Sequence, residues 1–277
     1  MKSLTILSIL TIILFQPGVL IAMEKEIEKN SWENRAKTYM RASSETLIDT
    51  TNQAPQVGRL SLENKGLDFG HGSGFFIDMG DGQRDKILTA AHNFFDEDGA
   101  LRAPLSAWRF ERGFNVDDEK TEVFGLQKIK CATSNPYSDD DINDQCLVTL
   151  DRELTDEKIE LIKIWSGNHG KIPHETTTFF IGYQGYSERS STKRTLNRCS
   201  LIRFDKLDKI TLTNCNSSKG MSGGLHGVPV NGKLQAIGVI KGARFDADTG
   251  RLGGTFSVPI LEKYNRDLMI TIPKDIN

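Results

Sequence analysis

From Val57 to about Val258 the apolar residues come in short runs broken by Gly, Asp and Asn. A chain written this way forms strands joined by turns, because no run keeps the 3.6-residue period that a packed helix needs. Gly72-Ser73-Gly74-Phe75-Phe76-Ile77, the turn Asp78-Met79-Gly80-Asp81-Gly82-Gln83 and Lys86-Ile87-Leu88-Thr89 read together as a hairpin. Further strands are expected over 107–112, 122–131, 147–150, 179–183, 196–203, 210–213, 234–240 and 254–258. Helical character returns only at the end, over Ile260 to Leu268. The expected fold class is therefore all-β, closed by a C-terminal helix.

The N-terminus has a different texture. Lys2 supplies a positive start, Leu4 to Phe15 an apolar stretch, and Gly18 to Ala22 a small-residue cut site, so residues 1–22 read as a signal peptide. The apolar stretch is broken by Gln16-Pro17-Gly18 and is short for a bilayer span. No second segment looks transmembrane, so no stable membrane span is expected after cleavage. Residues 23–56 are polar and form either a surface extension or a pro-segment, with Ser43 to Gln56 linker-like. The expected location is secreted or periplasmic. A net charge of −2 over 277 residues, with 26% charged and no basic block, gives nucleic acid nothing to bind.

Chemistry concentrates in three places. Lys219-Gly220-Met221-Ser222-Gly223-Gly224 sets a serine on a glycine-lined turn, where its hydroxyl is exposed and neighbouring backbone amides face a substrate. Upstream, Ile87-Leu88-Thr89-Ala90-Ala91-His92 places an imidazole just after an apolar run, and Asp144-Gln145-Cys146-Leu147-Val148-Thr149-Leu150 leads an acid into a buried strand. The order is His, Asp, Ser, with 52 residues from His92 to Asp144 and 78 from there to Ser222. The serine turn also fits the G-x-S-x-G elbow of α/β-hydrolases. That fold requires an acid and then a histidine after the serine, and only His226 follows, four residues on. Ser73, the other serine between glycines, precedes His92 and belongs to the first hairpin. Asp139, Asp140 and Asp141 lack the spacing of a calcium loop, and the cysteines lack C-x-x-C spacing, so no metal and no cofactor is expected.

The three motifs resemble those of the chymotrypsin-like (trypsin-fold) serine peptidases, T-A-A-H, D-x-A-L-L and G-x-S-G-G, and the pattern is most similar to the bacterial secreted members. The resemblance spans about residues 57–270. It implies two six-stranded antiparallel β-barrels, the first over about 57–155 and the second over about 156–258, followed by a helix over about 259–269, with the active site between the barrels. It implies a serine endopeptidase acting on protein or peptide substrates, in which His92, Asp144 and Ser222 form the catalytic triad and the amides of Gly220 and Ser222 form the oxyanion hole. The family places a specificity pocket at Asn216, six residues before the nucleophile, and along the wall strand at Ile240, Lys241 and Gly242. Asn216 argues against a buried carboxylate for basic side chains, and Lys241 offers a cation to an acidic one. An esterase on the same fold would share all of this chemistry, and a binding module on this fold would keep the scaffold alone.

Four cysteines in an exported chain favour disulfides, and four allow three pairings. The resemblance and proximity in sequence favour Cys131 with Cys146 and Cys199 with Cys215. Three departures from the family pattern stand out: Met221 where animal members have an aspartate that receives a freed N-terminus, Leu225 in place of proline, and Cys146 in place of alanine.

Overall fold

The computed structural model describes residues 45–48, 54–64, 67–114, 120–137, 143–167, 172–173, 175–184, 193–205, 210–215, 217, 219–245, 252–260 and 270–273. Of these, fifteen strands make up the regular structure, and all belong to the unit Ser44–Asn277.

Six strands close the first barrel: β2 (Val57–Asn64), β3 (Leu67–Asp78), β4 (Lys86–Thr89), β5 (Trp108–Arg112), β6 (Glu122–Cys131) and β7 (Cys146–Leu150). Each pairs antiparallel with its neighbour around the ring β2-β3-β4-β7-β6-β5, and β5 returns to β2. Alternation explains the closure. In β7, Cys146, Val148 and Leu150 point inward while Leu147 and Thr149 are half-buried, and β6 keeps Phe124, Leu126, Ile129 and Cys131 inside by shifting register between Leu126 and Lys128. The interior is apolar, with Phe76 edge-on to Phe110 at 5.4 Å and to Phe124 at 5.5 Å, and Phe94 edge-on to Trp108 at 5.0 Å.

The second barrel repeats that plan. Strands β9 (Thr177–Gln184), β10 (Lys193–Asp205), β11 (Ile210–Thr213), β12 (Leu225–Val230), β13 (Lys233–Phe245) and β14 (Leu252–Pro259) close in the order β9-β10-β11-β14-β13-β12, with β12 returning to β9. Both rings therefore run first, second, third, sixth, fifth, fourth strand. The short strand β8 (Ile162–Ile164) lies parallel to β3 on one side and to β13 on the other, joining the rings edge to edge.

Five strands go beyond the sequence expectation: β2, β8 and β12, and one towards each end of the chain. The linker-like Ser43 to Gln56 contributes β1 (Glu45–Ile48), because Thr46-Leu47-Ile48 suits a strand and β10 offers it an edge at Thr195 to Arg198. Near the other end β15 (Ile270–Pro273) pairs with β6 from Lys128 to Cys131. Residues 1–44 and 261–269, which hold the expected signal peptide and almost all of the expected C-terminal helix, lie outside the described residues. The strands match the all-β, two-barrel expectation. Cys131 is joined to Cys146 and Cys199 to Cys215, with Cα atoms 4.0 and 5.0 Å apart.

Candidate active site

Register brings the first two site residues together. In the antiparallel pair of β4 and β7, Thr89 stands opposite Cys146, so the chain leaving β4 and the chain entering β7 share one end of the barrel. His92 follows Thr89 in a short 3-10 turn, Ala91–Asn93, and Asp144 precedes Cys146. The Cys131–Cys146 bond, across a directly paired β6/β7 position, fixes the start of β7 two residues after the acid.

Asp144 is fully buried and grips His92 twice. Its Oδ2 accepts from His92 Nδ1 at 2.7 Å and its Oδ1 accepts from the His92 backbone N–H at 2.9 Å. A carboxylate can only accept, so Nδ1 carries the hydrogen and Nε2 is left as the basic nitrogen. Burial by itself pushes the Asp144 carboxyl up; the charge and hydrogen bonds of His92, together with the Lys241 ammonium, outweigh that and hold it below the usual carboxylate range. The His92 side chain keeps 17% of its surface exposed, so the ring is reachable while its acid is not.

The serine turn comes from the second barrel, between β11 and β12, and is tied to the first barrel at several atoms. The Ser73 amide on β3 donates to Ser222 O at 2.7 Å, and Asn93 Nδ2 donates to the same oxygen at 3.1 Å. Ser73 Oγ donates to Gly220 O at 2.7 Å and accepts from the Tyr183 amide at 2.8 Å. Ser73 is thus fully buried and engaged in structural hydrogen bonds. Thr89 Oγ1 donates to Ser73 O at 2.7 Å and accepts from Asn93 Nδ2 at 2.9 Å, which links the His92 turn to the Ser222 turn. Glycine is required at two positions here. Gly220 and Gly223 have φ of +94° and +85°, and a Cβ on Gly223 would run into Thr89 Oγ1 and Ser73 O.

Ser222 Oγ donates to Lys241 O at 3.2 Å. Among the described residues neither the Gly220 nor the Ser222 amide is spent in a hydrogen bond. Met221 is fully buried beneath the turn, its sulfur facing Gln184 Nε2 at 3.3 Å and Asn197 Nδ2 at 3.6 Å.

The residues expected along the pocket wall separate. Ile240 turns into the barrel core with Phe180 and Met221, whereas Gly242 has open space where a side chain would stand. Lys241 directs Nζ to Pro136 O at 3.1 Å and lies 3.6 Å from Asp144 Oδ2. Asn216 lies outside the described residues. Sequence reasoning missed the linking roles of Ser73, Thr89 and Asn93, although Thr89 and Asn93 flank His92 and their polarity beside an apolar run was the available signal. Among the described residues no group of His, Cys, Asp and Glu could hold a metal ion.

No family model matches this chain, and no curated protein matches it in sequence. Among solved structures it is similar to the thermostable serine protease AL20 from an extremophilic microorganism, at a TM-score of 0.56 and 13% identity, over 74% of this chain and 91% of that one. At that identity the likeness shows a shared fold, which is chymotrypsin-like.

Proposed function

We propose that this protein is an exported serine endopeptidase that hydrolyses peptide bonds through an acyl-enzyme, with Ser222 as nucleophile, His92 as general base and acid, and Asp144 as the group that orients the base. The observation that carries this reading is the buried Asp144 holding His92 by both ring and backbone, with the Ser222 carbonyl bonded to Asn93, the residue next to His92. The similarity in fold to a serine protease supports it.

In this mechanism Ser222 Oγ leaves the Lys241 carbonyl, gives its proton to His92 Nε2 and attacks the substrate carbonyl carbon. The charge that develops on the carbonyl oxygen is met by the free amides of Gly220 and Ser222. His92 then delivers the proton to the departing amine, and water repeats the sequence on the acyl-enzyme. Asp144 stabilises the imidazolium and keeps its own charge throughout. Export rests on the signal-like residues 1–22 and is in keeping with two disulfides; no helix among the described residues is long and apolar enough to cross a membrane.

A fluorophosphonate applied to the folded, disulfide-bonded protein should label it once, at Ser222, and Ser222→Ala should abolish both labelling and hydrolysis of a mixed peptide library. Labelling elsewhere, or undiminished cleavage by the Ser222→Ala protein, would sink the assignment. The Ser222 hydroxyl resting on Lys241 O favours a second reading, a recognition module on the same fold; a correctly folded, disulfide-bonded protein that is neither labelled at Ser222 nor cleaves any peptide or ester would select it.

A further inference from the structure

Lys241 touches both halves of the candidate site. Its Nζ stands 3.6 Å from Asp144 Oδ2, the same oxygen that accepts from His92 Nδ1, and its own carbonyl accepts from Ser222 Oγ. The ammonium is anchored by donation to Pro136 O at 3.1 Å, and the side chain is only 13% exposed. A fully buried carboxylate normally keeps its charge only when a partner compensates it. Asp144 has two such partners on one oxygen, the imidazole and the ammonium.

We infer that Lys241 is a positioning residue that keeps Asp144 a carboxylate shared between two groups, and so sets the lower pH limit at which the His92–Asp144 dyad works. With Lys241 charged, the resting dyad and ammonium together are neutral. When the dyad takes up a proton the cluster carries a net positive charge in a poorly solvated place, so protonation is opposed. Removing the ammonium relieves that opposition, and the dyad then binds a proton at higher pH. The sign is the same whichever member of the dyad takes the proton. Arg102 and Tyr137 also stand beside His92. Arg102 Nε donates to His92 O at 3.4 Å and its Nη2 donates to the Tyr137 hydroxyl at 2.7 Å, while the Tyr137 ring centre is 6.2 Å from that of His92. Arg102 is a second cation and acts in the same direction as Lys241.

The kinetic consequence rests on the proposed peptidase reading; the titration of the dyad does not. The test therefore has two arms on the whole exported chain, comparing wild type with Lys241→Met and Lys241→Arg. In the first, the His92 Nδ1–H resonance is followed by NMR against pH. Its midpoint should rise by about one pH unit in K241M and stay near the wild-type value in K241R. An unchanged midpoint in K241M, or an equal rise in K241R, overturns the inference. In the second arm the rate of fluorophosphonate labelling is measured against pH, and the acid limb should move with the NMR midpoint. A wild-type protein that is never labelled would refute the nucleophile assignment and leave the first arm to decide the role of Lys241. Should K241M fail to fold, Lys241→Gln, which keeps a donor for Pro136 O and lacks the charge, takes its place with the same expected rise.

Discussion

The two barrels share one strand order and differ in what fills them. The first is packed with Phe76, Phe94, Phe110, Phe124, Trp108 and aliphatic neighbours in one continuous core. Both halves bury polar side chains, among them Arg59, Glu111 and Asp144 in the first and Arg194, Asn197 and His226 in the second, but among the described residues the apolar side chains of the second fall into smaller groups, one around Phe180, Met221 and Ile240 and another around Leu201, Val228 and Ile237. One continuous apolar core resists deformation because every neighbour excludes volume, whereas separate smaller groups share fewer such contacts. The division of labour follows. The barrel with the continuous core carries the paired His92 and Asp144, and the other presents the Ser222 turn, which is fastened to the first barrel through Ser73 and Asn93.

This contrast can be broken at graded cost. The largest effect belongs to the acid: Asp144→Asn should lower turnover, and with it the rate of fluorophosphonate labelling, on the order of 10⁴-fold by giving His92 the wrong tautomer, while circular dichroism still shows a folded protein. A loss below tenfold would mean that another group orients His92. Next is the apolar core. Phe110→Ala should destabilise by about 3–5 kcal/mol in chemical denaturation, because the ring packs against both Phe76 and Phe124; a cost under 1 kcal/mol would show that the first barrel is no tighter than the second.

The disulfides come third. Replacing either pair by serines should cost about 3 kcal/mol by the chain-entropy estimate, since the sequence separations are 15 and 16. Only loss of Cys131–Cys146, beside the acid, should also lower turnover, and equal kinetic damage from both pairs would contradict the asymmetry. The smallest effect is a slope. The Asp144 carboxyl is held low in the folded protein, so its contribution to stability is present above about pH 4, the ordinary carboxylate value, and is lost as pH falls through the folded-state value. An acid titration of stability should therefore be shallower below pH 4 in Asp144→Asn than in wild type.

Much of this was legible in the sequence. Runs such as Cys146 to Leu150 announce a strand with inward and outward faces, whereas β2, β8 and β12 are not among the strands expected from the sequence. The motifs around His92, Asp144 and Ser222 carry their order, from which the resemblance to a two-barrel fold follows. What could not be read is contact between distant positions. Ser73 looked like a second serine between glycines, and only the approach of β3 to the β11–β12 turn gives its hydroxyl to Gly220 and Tyr183. Lys241 looked like a pocket cation because strand alternation gives a side chain a face and no partner; the neighbour on that face, Asp144, comes from the other barrel. Strand β1 was hidden for a related reason, since four residues form a strand only where an edge awaits them.

Strand β1 also bears on the export we propose, because it limits where the chain could be cut. It covers the flank of β10 from Thr195 to Arg198 that β11, paired only from Leu201 onward, leaves open. A processing cut upstream of Ser44 would spare this strand, whereas a cut near residue 56 would strip it and leave a row of amides and carbonyls bare on β10. Such a bare edge invites a strand from another molecule, so over-trimmed protein should self-associate where correctly trimmed protein does not. The mature N-terminus, read by mass spectrometry, is accordingly expected between Met23 and Ser44, and a start beyond Ile48 in active, monomeric material would show that the edge needs no cover.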